Sequence, residues 1–206
     1  MLGFYNYTVI LTYIGMLSGF TGITFALGGN THNAMICLMI AGVCDMFDGK
    51  IASTMERTPQ EKHFGIQIDS LSDLICFGVL PAVIVYTTCE GSNFSFYAAG
   101  LYVLAALIRL AWFNVDELDR QNETTGAREV YLGLPVTTAA LILPITSEVV
   151  HGTFLTIGKT GPLVLLLMAA AFLTPFKLRK PALMGKISMI AVGGAAMVLL
   201  FMGFDL

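Results

Sequence analysis

The chain has 206 residues, 56% of them hydrophobic and 12% charged, with a formal net charge of −3 and a mean hydropathy of +0.77. A soluble domain carries about 25% charged residues. The composition therefore excludes an ordinary soluble globular protein and predicts an all-α, polytopic integral membrane bundle with little mass outside the bilayer.

No basic run points to nucleic acid, and no nucleic-acid partner is expected. Cys37, Cys44, Cys76 and Cys89 are scattered over apolar segments without a CxxC pair, which argues against structural zinc or a disulfide framework.

Taken in order, apolar segments fall at 5–28, 33–55, 59–88, 94–115, 130–150, 161–176 and 187–204. A membrane span needs about 20 residues, so about seven transmembrane helices are expected. The first segment has no basic n-region and no clear cleavage site, and reads as retained. The sixth is short and ends at Pro175, where Lys177 can snorkel to extend it. Residues 1–206 read as a single transmembrane domain.

The second and third segments carry the chemistry. Residues three or four apart share a helix face. Asp45 and Asp48 are paired in this way on the second segment, and Asp69 and Asp73 on the third. A short charged linker makes the two helices antiparallel neighbours, so the four carboxylates converge. Each Asp near a membrane centre costs roughly 2.5–3.5 kcal/mol, so four unpaired ones would cost about 10 kcal/mol or more. Two divalent cations cancel four negative charges, and carboxylate oxygens suit a hard cation such as Mg²⁺ or Mn²⁺. Gly49 and Gly65 flank the two pairs, where a glycine lets a flat ring or a phosphate approach the backbone.

Between the pairs, Thr58-Pro59-Gln60-Glu61 reads as a helix start, with Thr58 as cap and Glu61 at the capping-box position. The third helix is thus expected to begin outside the membrane, with Lys62 and His63 on the extension. If this linker is cytoplasmic, ten of the eleven Lys and Arg lie on or near that side, Lys159 being the exception. The positive-inside rule then places the aspartates at the cytoplasmic face of the cell membrane.

The fourth segment ends ALIRLAWFN. Arg109 lies within this apolar run and needs an anionic partner. Its guanidinium matches a carboxylate bidentately, whereas Trp112 reads as an interfacial anchor. Residues 114–129 are polar and read as a loop. Gly133 and Pro135 are expected to break or kink the start of the fifth helix.

The run Asp45-x-x-Asp48-Gly49-x-x-Ala52, then Gly65, Asp69 and Asp73, resembles the signature of the CDP-alcohol phosphotransferases, D-x2-D-G-x2-A-R-x8-G-x3-D-x3-D. Seven of the eight fixed residues are present in order. Ser53 stands where the pattern has Arg, and the stretch from there to Gly65 is longer. DSLSDLICFGVLPA, RLAWFN and GLPVTTAA are also similar to runs in the bacterial and archaeal membrane phosphatidylserine synthases. The resemblance spans about residues 40–145.

That resemblance implies the family's helical fold, CDP-diacylglycerol and L-serine as substrates, and a homodimer in the lipid bilayer. It implies two metals on Asp45, Asp48, Asp69 and Asp73, with Asp73 also the proton acceptor. Gly49, Ala52 and Gly65 would line the cytidine pocket, and the Ser53 position would face the diphosphate. Arg57 or Lys62 is expected to replace the missing Arg there, and Arg109 to hold the serine carboxylate. Two other readings stay open: a relative using a glycerol-phosphate or inositol-phosphate acceptor, and a cation transporter built on intramembrane aspartates.

Overall fold

The computed structural model describes residues 3–123, 130–150, 157–179 and 193–194. A 3₁₀ turn, Tyr7–Val9, leads into α1 (Ile10–Leu27). A short turn connects α1 to α2 (Thr31–Ala52), whose first turn is capped by the Asn30 side chain accepting from the Asn33 N–H at 3.0 Å. Then follow α3 (Pro59–Asp73), a π-helical turn (Leu74–Val79) and α4 (Leu80–Thr88), which together make one long helix. The remaining elements are α5 (Asn93–Glu123), β1 (Val130–Leu132), a 3₁₀ turn (Val136–Thr138), α6 (Ala139–Val150), α7 (Ile157–Leu173) and β2 (Lys177–Arg179).

Three helical stretches are long and apolar enough to cross a membrane: Tyr7–Leu27, Pro59–Thr88 and Asn93–Arg120. The stretches Val136–Val149 and Ile157–Leu173 are shorter and apolar. α2 is 22 residues long, about 33 Å at the α-helical rise, and carries the charges of Asp45, Asp48 and Lys50 in its last turns. The protein is therefore an integral membrane helical bundle. The predicted seventh segment, 187–204, lies outside the described residues apart from Gly193 and Gly194.

α1 packs along α2 through a buried glycine face. A Cβ on Gly15 would stand 3.1 Å from the Cys44 Cβ, and one on Gly22 2.9 Å from that of Cys37. Small residues of this kind bring membrane helices into close contact. The core lies below the aspartates, where Leu38, Phe77, Leu80, Ile84, Tyr102, Leu143, Leu165 and Phe172 are buried.

Two boundaries differ from the sequence reading. The fourth segment does not end near residue 115. α5 runs on to Glu123, and residues 114–123, expected in a loop, are helical; Arg120 pairs there with Glu117 at 2.6 Å, one turn earlier. The fifth segment is not helical from residue 130. β1 pairs antiparallel with β2, Tyr131 opposite Leu178, and Gly133 (φ +73°) turns the chain beneath the end of α7. The Gly133 and Leu134 N–H groups donate to the carbonyls of Phe176 and Ala171, and the α-helix resumes only at Ala139.

Candidate active site

α2 and α3 supply the four aspartates. α3 begins where Thr58 and Glu61 complete a reciprocal capping box, with Pro59 in the first turn. Asn6 also donates to Glu61 at 3.1 Å, tying the segment before α1 to this cap.

One carboxylate oxygen from each of Asp45, Asp48 and Asp69 lies within 4.8 Å of the other two. Asp73 stands one turn beyond Asp69 and is not part of that triple, but it lines the same small cavity, about 10 Å³, with Thr12, Ser72 and Cys76. Thr12 Oγ1 donates to Asp48 Oδ2 at 3.3 Å, and Ser72 Oγ donates to the Thr12 carbonyl at 3.4 Å. Among the described residues, no Lys or Arg lines this cavity. Three like charges at this separation repel one another. The all-oxygen donor set fits a hard divalent cation, and these three residues can hold a metal ion.

A second, apolar cavity of about 350 Å³ lies between α2 and the start of α6. Val43, Met46, Phe47 and Leu141 line it, and Asp45 and Thr137 give it a polar edge. Asp45 thus faces both spaces.

The other residues singled out from the sequence scatter around this centre. Gly49 is exposed, and a Cβ added there would meet nothing within 4 Å. Ala52 ends α2, and Ser53 is exposed, its hydroxyl turned back to the Lys50 carbonyl at 2.7 Å. Lys62 and His63 are exposed on the first turns of α3. Arg57 folds over the third helix: its Nη1 would lie 3.1 Å from a Cβ on Gly65. Its Nε is buried without a hydrogen-bond partner.

Arg109 is 6% exposed. Its Nε donates to the Leu134 carbonyl at 3.3 Å, and its guanidinium lies 5.8 Å from the ring centres of Trp112 and Phe113. It is not among the described residues lining the aspartate cavity. Trp112 is 44% exposed.

Sequence reasoning missed Thr12 and Ser72, which support the aspartates, and Asn114, which accepts from Ser70 at 2.8 Å. In DSLSD each serine sits next to an aspartate, which gives a local signal. Thr12 lies on another helix without any motif around it.

Comparison with known proteins extends the match beyond these residues. A family model described as CDP-alcohol phosphatidyltransferase matches residues 5–176. The CDP-diacylglycerol–serine O-phosphatidyltransferase of Saccharomyces cerevisiae is 35% identical over 143 residues, covering 64% of this chain and 51% of that protein. The enzyme of the same name from Mycobacterium leprae is 33% identical over 132 residues, with 64% and 43% covered. The archaetidylserine synthase of Methanothermobacter thermautotrophicus is 32% identical over 136 residues, with 65% and 54% covered. The chain spans about half the length of these relatives. With a match that runs over most of the sequence and takes in all four aspartates, this chain belongs to the CDP-alcohol phosphatidyltransferase family.

Proposed function

We propose that this protein transfers the phosphatidyl group of CDP-diacylglycerol to the hydroxyl of L-serine, releasing CMP. The observation that carries this reading is the meeting of Asp45, Asp48 and Asp69 from two helices within 4.8 Å, with Asp73 on the same cavity. The reaction named for two of its relatives supports the choice of substrates.

Asp45, Asp48 and Asp69, joined by Asp73, are the residues that would hold two Mg²⁺ or Mn²⁺ ions. Bound there, such ions neutralise the diphosphate and stabilise the leaving CMP. The serine hydroxyl is a weak nucleophile at neutral pH and needs a base as it attacks. Asp73 takes that proton. The oxygen attacks the β-phosphorus in line, the bond from that phosphorus to the oxygen bridging to CMP breaks, and CMP leaves with the electron pair.

Gly49, Ala52 and Gly65 would line the cytidine pocket, and the Ser53 position would face the diphosphate. Arg57 supplies the cation that Ser53 lacks, with Lys62 as the outer charge. Arg109 receives the serine carboxylate. An acyl chain suits the apolar cavity beside Asp45, which keeps the lipid in the bilayer as its head group reaches the carboxylates. Residues 1–206 act as one transmembrane domain, as a homodimer in the cell membrane, with the site open to the cytoplasm.

The test is CMP release in detergent from CDP-diacylglycerol with a panel of acceptors. L-serine is expected to give phosphatidylserine. Strong release with glycerol 3-phosphate or an inositol phosphate, and none with serine, would move the assignment to another member of the family.

A further inference from the structure

The helix from Pro59 to Thr88 is not regular. At Leu74–Val79 it widens into a π turn, in which the Leu80 N–H donates to the Ile75 carbonyl five residues back. Pro81 lies two residues beyond this turn. Pro81 has no N–H, so an unbroken α-helix would leave the carbonyl of Phe77, four residues earlier, without its donor. Phe77 is 1% exposed, and water is not at hand to replace it.

The partner comes from another helix. Tyr102 of α5, itself fully buried, donates its hydroxyl to the Phe77 carbonyl at 2.6 Å. α5 lies directly against the turn, since a Cβ on Gly78 would be only 3.4 Å from that of Ala106.

The turn begins at the residue after Asp73. One extra residue shifts the helical phase by about 100°. α4 is fixed in the core by Leu80, Ile84 and Val85, all at 0% exposure. The widened turn therefore sets the direction in which Asp69 and Asp73 leave the axis relative to that core. π turns often occur at functional sites.

We propose that Tyr102 is a positioning residue for the aspartate site: by bonding the carbonyl that Pro81 strands, it holds open the turn that aims Asp69 and Asp73 at α2. Tyr102 lines neither cavity among the described residues and acts only through this turn. The role of Asp73 in turnover rests on the proposed function; the aim of Asp69 at a metal does not.

The experiment compares the full-length protein in detergent with Tyr102→Phe and with the double variant Tyr102→Phe/Pro81→Ala. It reads Mn²⁺ affinity by the electron paramagnetic resonance of free Mn²⁺, the thermal unfolding midpoint, and serine-dependent CMP release. Tyr102→Phe is expected to lower the midpoint and to weaken Mn²⁺ about tenfold, the usual scale for a lost supporting contact. Its kcat should fall similarly, with a smaller change in KM. In the double variant the backbone N–H gained by replacing Pro81 serves the Phe77 carbonyl and lets the turn close. The midpoint should recover, but Mn²⁺ affinity and kcat should stay low.

Recovery of both midpoint and Mn²⁺ affinity would overturn the proposal, because the hydroxyl would then merely satisfy a carbonyl. A double variant as unstable as the single one would overturn it too, and so would normal Mn²⁺ affinity in Tyr102→Phe. If the unmodified protein releases no CMP with serine but Mn²⁺ binding follows the expected pattern, the proposed function fails and the positioning role stands.

Discussion

Arg57 lies against Gly65 closely enough that a Cβ on the glycine would meet its Nη1 at 3.1 Å. The family pattern puts an Arg four residues earlier, at the position of the exposed Ser53. Arg57 lies within the longer linker of this chain and reaches the glycine from there. Arg57→Ala should raise the KM for CDP-diacylglycerol by about tenfold with little change in kcat, because a lost ground-state contact appears in KM. Lys62→Ala, at an exposed site, should have a smaller effect. Steady-state kinetics of the two variants check this; silence of both would remove them from the substrate site.

Asp48 accepts from Thr12 and brings one oxygen within 4.8 Å of an oxygen of Asp45 and of Asp69. Asp48→Asn should abolish turnover while the thermal unfolding midpoint stays near that of the unmodified protein. Excess chelator should do the same, reversibly. Full activity of the variant, or full activity in chelator, would contradict a metal-dependent site.

Arg109 is buried beside the turn that leads into α6 and donates to the Leu134 carbonyl. Arg109→Ala should raise the KM for serine much more than that for CDP-diacylglycerol. Measured separately, equal losses for the two substrates would instead mean that Arg109 serves only to hold the 133–135 turn.

Gly133 has φ +73°, and a Cβ there would stand 3.0 Å from the Thr174 carbonyl oxygen and 3.1 Å from that of Phe172. Gly133→Ala should therefore destabilise the protein by about 1–3 kcal/mol, from backbone strain and the contact together. Thermal unfolding in detergent reads this directly, and an unchanged midpoint would mean that the turn relaxes at no cost.

The parts of this molecule that were legible in the sequence are those encoded within one or two helical turns. The pairing of Asp45 with Asp48 and of Asp69 with Asp73 follows from helical spacing. Thr58 and Glu61 announce their capping box through a four-residue pattern. The parts that were not legible depend on partners distant in the chain. The segment 59–88 reads as one regular apolar helix, whereas the folded chain widens at Leu74–Val79, where Tyr102 of α5 donates to the Phe77 carbonyl. The extended start of the fifth segment needs Lys177–Arg179 as its partner strand. The sequence offers Arg57, with Lys62, only as a stand-in for the missing Arg, and the lie of Arg57 against Gly65 is a property of the folded linker.

The stereochemical course at phosphorus distinguishes one direct displacement by serine among the four aspartates from transfer through the protein. CDP-diacylglycerol made chiral at the β-phosphorus would be converted to phosphatidylserine by the purified protein, and the configuration of the product determined. Direct displacement inverts the configuration, with no phosphorylated protein trapped at any stage. Retention, or a trapped phospho-enzyme, would contradict it.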